Sequence, residues 1–325
     1  MDFSKINWKK LAVQAGIPLV ILVILGFLPL YGWAYGVTLI TYFLLYVILT
    51  VSWVIFSGST GYISLATAVF YGVGIYAGAI LADRIPLIFV VFIAGLAGFI
   101  IAFIVGAITL RLKGIYFAMF TFGLVLLVHQ IILWIEVDIN HRVERFLKPV
   151  SNEQIYYYLL CIAVVTMIIA YLIRKSKYGL ALQSIGENEE AAAHAGINVT
   201  MVKILTFAVS AIFMGAAGVI MATRLTVIDP DGAFNALMSF NPALMAIFGG
   251  VGNFYGPILG AVIFSYIQEI LSTAHWFGIA WGDFYKIIFG AILVATILFL
   301  PNGLMGLIQN IWRRISGARR ALTRG

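Results

Sequence analysis

The chain has 325 residues, 63% of them hydrophobic and only 10% charged, with a mean hydropathy of +1.06 and a formal net charge of +7. Soluble domains average roughly 45–50% apolar and about 25% charged residues, so a water-facing globular fold is excluded and a single bundle of spanning helices is expected. The positive charge is no nucleic-acid footprint, because the basic residues flank apolar runs instead of interleaving with aromatics on one face.

In chain order, Lys5, Lys9 and Lys10 precede an apolar stretch over 11–31. It is too long for a signal peptide and lacks a small-residue cleavage site, so it is read as a retained first helix. Runs of the length needed to span, about 20 residues, follow at 36–56, 62–82, 86–109, 115–135, 155–173 and 201–222. The stretch 236–272 is apolar but interrupted by GGVGNFYGP at 249–257, and a last run covers 285–300. Cys161, the single cysteine, rules out a disulfide framework and is expected to be a small buried hydrophobe.

Charge sets the expected orientation. With the N-terminal lysines in the cytoplasm, Arg111 and Lys113, then Arg174, Lys175 and Lys177, fall on the same side. The segment 136–153 falls outside, its Arg142, Arg145 and Lys148 offset by Glu136, Asp138, Glu144 and Glu153. The basic tail beyond Trp312 is cytoplasmic only if 236–272 crosses twice, which favours about ten crossings over nine. The expected organisation is a cytoplasmic N-terminus at 1–10, a membrane domain at 11–306 with a cytoplasmic segment at 174–200, and a basic cytoplasmic tail at 307–325. The fold class is all-α and polytopic, multi-pass in lipid, with both termini inside.

Two Gly-rich breaks interrupt the apolar pattern. One is SGSTGYISLATAVFYGVG at 57–74, with Gly58, Gly61 and Ser64; the other is FGGVGNFYGPILG at 248–260, with Gly249, Gly250 and Gly252. Irregular backbone at membrane depth marks either a pathway or a place where protein satisfies its polar groups, and small residues also serve close helix packing; both readings stand. His129 and Gln130 are polar groups expected to face the bundle interior, with a bond to a neighbouring helix preferred over contact with a substrate. Asn241 and Pro242 are expected to open a helix and leave backbone donors facing a pore. Glu269, beside Gln268, is expected to reach the outer surface.

GENEEAAAHAGIN at 186–198 is the most hydrophilic run. Each glutamate at a helix centre costs roughly 2.5–3.5 kcal/mol on insertion scales, so Glu187, Glu189 and Glu190 together, at about 8–10 kcal/mol, keep this segment out of the bilayer. Asn188 suits an N-cap, the following glutamates suit the positive end of the dipole, and Gly196 suits the C′ position. A cytoplasmic helix of about two turns is therefore expected, with Ala191, Ala192 and Ala195 allowing close approach and with Glu187, Glu190 and His194 on another face. It is either an ordinary capped loop helix or a stiff element that receives force from a soluble partner. No GxxxxGK[ST] phosphate loop and no HExxH or paired Cys/His spacing occurs anywhere in the chain. A non-enzyme without its own cofactor or metal is expected.

Glu190-Ala191-Ala192 followed by Gly196 resembles the EAA signature of ATP-binding cassette (ABC) importer permeases. More widely, the blocks at 61–81, 111–123, 176–218, 248–262 and 285–306 resemble, in order, the LivM-type permease subunit of branched-chain amino acid importers. The resemblance implies a type II-like arrangement of about ten helices in a prokaryotic cytoplasmic membrane. It also implies two cytoplasmic ATPases that bind ATP and dock on the EAA helix, a sister permease and an extracytoplasmic binding protein. Members of the family commonly carry arginine at the position of Gly186 and an acidic residue near Ala193, so this chain departs from the pattern at both. Alternatives are the same machine carrying urea, amides or other amino acids, and an ion-coupled secondary transporter whose buried ionisable pair drives transport.

Overall fold

The computed structural model describes residues 22–141, 144–273, 275–276, 279–280, 290–291 and 303–307. The N-terminal lysines, the first half of the 11–31 span, all of the 285–300 span but 290–291, and the basic tail lie outside the described residues. Helices dominate: α1 (Leu22–Tyr31), α2 (Ala34–Trp53), α3 (Thr67–Leu81), α4 (Leu87–Thr109), α5 (Ile115–Trp134), α6 (Asn152–Lys175), α7 (Lys177–Glu187), α8 (Glu189–His194), α9 (Val199–Ala222), α10 (Pro230–Ala233), α11 (Leu237–Gly249) and α12 (Tyr255–Thr273). Single π-helical turns extend α2 over Val54–Gly58 and α5 over Ile135–Ile139. The strands are two-residue pieces: β1 (Arg145–Phe146) pairs antiparallel with β2 (Val227–Ile228), and β3 (His275–Trp276) with β4 (Ile279–Ala280).

Among the described residues, five helices are long and apolar enough to cross a membrane: Ala34–Gly58, Leu87–Thr109, Ile115–Ile139, Asn152–Lys175 and Val199–Ala222. The other five expected crossings are shorter or lie largely outside the described residues. The 62–82 run is helical only over the 15 residues of α3, about 22 Å at 1.5 Å per residue. The six residues before α3, 61–66, have no regular secondary structure. The 236–272 run turns where expected, at Gly250–Phe254, and forms the hairpin α11–α12. α11 has 13 residues, about 20 Å, and falls short of the roughly 30 Å hydrocarbon core. Asn241 and Pro242 do not open this helix, contrary to expectation. It begins earlier because Asn235 Oδ1 accepts the Leu237 amide at 2.9 Å, and Pro242 sits within it.

The centre of the bundle is α2, α3 and α9. In α9 and α2, 78% and 72% of the spanning window is buried, against 17% in α5, so α5 is peripheral. Glycine permits the tightest contacts. A Cβ at Gly74 would strike the Gly215 carbonyl, one at Gly218 the Tyr71 carbonyl, and one at Gly98 would lie 2.9 Å from the Ala211 carbonyl oxygen. These pairs laminate α3 and α4 onto α9, as expected where lipid gives helices no hydrophobic reason to associate and backbone proximity supplies dispersion instead. Cys161 corrects another expectation: it is exposed, because it lies on the outward face of α6, where lipid makes outside as apolar as inside. Gln130 is likewise exposed, because α5 turns most of its surface away from the bundle.

Polar contacts gather at two ends. At one, Glu136 Oε1 accepts from Arg145 Nη2 at 2.7 Å and Nε at 2.9 Å, β1 pairs with β2, and the Val150 amide bonds the Thr223 carbonyl. At the other lie α7, α8, the end of α4 and the turn of the α11–α12 hairpin. Segments that charge placed on one side of the membrane thus meet at one end of the bundle.

Candidate functional site

The hydrophilic run folds as its residues require. Ser176 caps α7, its side chain accepting from the Gly179 amide at 3.4 Å. Asn188, with extended backbone at φ −157°, ends α7 and begins α8; its Oδ1 accepts from the Glu190 and Ala191 amides, both at 3.0 Å. α8 closes in a Schellman arrangement: Gly196 N–H bonds Ala193 O at 3.0 Å and Ile197 N–H bonds Ala192 O at 3.1 Å, with Gly196 at φ +85°. Asn198 then caps α9 through the Met201 amide at 3.1 Å. The capped two-turn helix expected around Glu190 is present, although it spans only Glu189–His194, so Glu187 belongs to α7 and shares no continuous face with Glu190 and His194.

Exposure divides this segment. Glu187, Glu190, Ala191, Ala193, His194 and Gly196 are exposed, whereas Ala192 is buried at 3% against Ile185 and Val199. Ala192 therefore seats α8, and its neighbours form the surface open to a partner. The departure at Gly186 has a steric cause: a Cβ there would lie 2.5 Å from the Ser59 carbonyl oxygen, so α7 rests against the end of the α2 helix.

Beneath α8 lies a charged node that the sequence reading did not contain. Lys203, in the second turn of α9, is 2% exposed. Its ammonium donates to Glu189 Oε1 at 2.7 Å, Tyr62 Oη at 3.2 Å and the Leu110 carbonyl at 3.3 Å, which uses its full complement of donors. Tyr62 in turn donates to Glu189 Oε2 at 2.5 Å, and its ring lies under the ammonium, 4.5 Å away. Desolvation pushes the Glu189 carboxyl up, but hydrogen bonds from Lys203 and Tyr62, with the positive charge of Lys203 and Lys113, outweigh it and hold the carboxyl below its ordinary value. Removing one member of such a pair strands the other and costs about 3–5 kcal/mol. The available signal was a lone lysine inside an apolar run; it was hidden because lysines near span ends commonly snorkel.

The first Gly-rich break sits beside this node. Gly61 is at φ +74°, and side chains bond backbone groups of the irregular residues that follow: Ser57 Oγ accepts from the Ser64 amide at 3.2 Å, Thr121 Oγ1 from the Leu65 amide at 3.0 Å, and Trp53 Nε1 donates to the Ser64 carbonyl at 2.7 Å. Protein side chains thus take the place of a helix ladder here. Gly58 borders a cavity of about 200 Å³ shared by Val54, Arg174, Gln183, Val251 and Gly252, where Arg174 donates to the Gly252 carbonyl at 2.5 Å. In the second break, Gly249 and Gly250 are buried; a Cβ at Gly249 or Gly260 would strike the facing backbone, so these glycines let α11 and α12 cross closely. Gly252 is exposed in the turn.

The remaining polar candidates are scattered. His129 Nε2 lies 2.8 Å from Asp231 Oδ1 at the opposite end of the bundle. Asn241 is 5% exposed and donates to Tyr46 Oη at 3.4 Å. Glu269 accepts from Tyr35 Oη at 3.5 Å. The structure brings Gly58, Gly61 and Ser64 near α7 and α8, and keeps His129, Gln130 and Asn241 away from them.

Comparison with known proteins gives the relationships. A family profile described as "Branched-chain amino acid transport system / permease component" matches residues 35–297. The chain is 24% identical over 317 residues to the high-affinity branched-chain amino acid transport system permease protein LivM of Escherichia coli K12, covering 87% of this chain and 72% of that protein. It is 28% identical over 163 residues to LivH, a permease protein with the same transport description in that organism, covering 50% of each chain. The L-arabinose ABC transporter permease protein AraH of Azospirillum brasilense is 29% identical over 138 residues, covering 41% of this chain and 39% of AraH. No solved structure matches.

Proposed function

Because the chain belongs to the branched-chain amino acid transport system permease family, and is thus a multi-pass transport subunit and not an enzyme, we propose that it is the LivM-type permease of an ABC importer for leucine, isoleucine and valine. The observation that carries this reading is α8: capped at both ends, seated by Ala192, and open along Glu190, Ala191, His194 and Gly196. A helix so stiffly rooted suits an ATPase that docks from the cytoplasm and supplies the power stroke; ATP is bound on two such partner chains, with no cofactor held by this one.

The cargo assignment is supported by extent. The LivM relative covers 87% of this chain, whereas the arabinose permease covers 41%. Two permease proteins bear the same transport description in one organism, which supports a sister permease beside this chain. An extracytoplasmic binding protein would hold the selectivity, since a permease that bound its cargo tightly would slow release. The full arrangement proposed is about ten helices of the type II kind in a prokaryotic cytoplasmic membrane, both termini inside.

The test is labelled leucine uptake in cells with the gene deleted and restored, competed by excess isoleucine, valine, urea and arabinose. Uptake that follows the gene and yields only to aliphatic amino acids is the expected result. Competition by arabinose or urea, or leucine uptake indifferent to deletion, would remove the cargo assignment.

A further inference from the structure

We propose that Lys203, Glu189 and Tyr62 form the joint that fastens the docking helix to the transport body, with Lys203 as its positioning residue; this rests on the reading of α8 as the ATPase docking helix. The geometry singles out this joint. Glu189 is the first residue of α8, Lys203 belongs to the central helix α9, Tyr62 belongs to the irregular run leading into α3, and Leu110 ends α4. One buried ammonium therefore ties the docking helix to the entry of α3, the exit of α4 and the first turns of α9 through three hydrogen bonds.

The other attachments of α8 are weaker guides to motion. Ala192, Ile185 and Val199 form a small apolar contact that can slide, because dispersion has little directional preference. A charge-assisted hydrogen bond is directional and short. Displacing α8 by an ångström would either separate Glu189 from a lysine that water barely reaches or carry Lys203 and Tyr62 along. Tyr62 stands next to Gly61, whose φ of +74° marks the start of the irregular run, so the second outcome moves that run. The joint transmits displacement from α8 to the first break in the membrane body.

A node that merely stabilised the fold would behave differently from a joint. Replacing both charges by neutral groups removes the stranded-charge penalty, and such double replacements often leave stability unchanged. It also removes the directional tie. The variants are therefore Glu189→Gln with Lys203→Met in one chain, the reversed pair Glu189→Lys with Lys203→Glu, and Tyr62→Phe. Each is reconstituted in vesicles as the assembled importer, and labelled leucine uptake and ATP hydrolysis are measured on the same samples.

In the neutral double variant we expect normal assembly, ATP hydrolysis within about twofold of the parent, and at least a tenfold fall in leucine taken up per ATP hydrolysed. The reversed pair should recover part of that ratio, and Tyr62→Phe should show an intermediate loss. An unchanged ratio in the neutral variant would overturn the proposal. So would loss of assembly in both double variants, which would assign the node to folding alone. Glu190→Lys with Gly196→Val serves as the control for the underlying reading: if that surface variant transports normally, docking on α8 fails, whatever the joint does.

Discussion

At the scale of single residues, the consequential ones here act by what surrounds them. Gly186 is small because the Ser59 carbonyl leaves no room for a Cβ. Gly186→Arg, which would restore the residue common in the resembled family, is expected to push α7 off the end of α2 and cost about 1–3 kcal/mol as an overpacking change. A lower thermal unfolding midpoint in detergent checks it, with Ser184→Arg on the exposed side of α7 as the neutral comparison. His129 has a carboxylate partner in Asp231 and lies far from the docking end, so His129→Ala should change uptake by less than tenfold, about 1.4 kcal/mol of barrier. Complete loss of uptake at normal expression would place His129 in the pathway. The caps at Asn188 and Gly196 were legible in the sequence because capping is a local matter of one side chain and the next few amides. Lys203 was not, since its partners come from three separate places in the chain and no spacing rule connects them.

At the scale of elements, α8 is a short helix held at both ends. Gly196→Val places a β-branched residue at φ +85°, where L side chains are strained, and Glu190→Lys reverses charge on the exposed face. Together they should leave the protein inserted while uptake separates from ATP hydrolysis; ordinary uptake would count against docking here. Acid should loosen the same element from beneath. The folded state holds the Glu189 carboxyl below its ordinary value, so its contribution is fully present above the unfolded carboxylate pKa and is lost as pH falls through the lower, folded one. Protease cleavage within 174–200 in detergent should therefore rise on acidification below about pH 4, and the Glu189→Gln/Lys203→Met variant should lose that pH dependence. The long helices were legible from apolar length alone, as with Leu87–Thr109 against the expected 86–109. α7 was missed: its buried face, Leu182 and Ile185, is too narrow to register beside the stronger signals of basic and acidic residues. α3 came out shorter than its run because Ser57, Thr121 and Trp53 offer its first residues partners other than a helix.

At the scale of the whole molecule, the grouping of segments at two ends came through where helix length did not. Charge counting assigned 136–153 to one face, and β1 in that segment pairs with β2; it assigned Arg111, Lys177 and the 186–198 segment to the other, and Leu110, next to Arg111, meets Glu189 on Lys203. Hydropathy cannot tell a full crossing from a helix that stops midway, which is why α3 and α11 were read as longer than they are. If the energy for transport comes from ATP on partner chains, dissipating the proton gradient at constant ATP should leave leucine uptake unchanged. An ion-coupled transporter would stop under the same treatment.

The glycine contacts between α3, α4 and α9 carry one more consequence. Helices whose main chains touch through Gly74, Gly98, Gly215 and Gly218 cannot slip past each other without carbonyl collisions, so they behave as a single plank. A rearrangement that parted them would have to break main-chain contacts at several points at once.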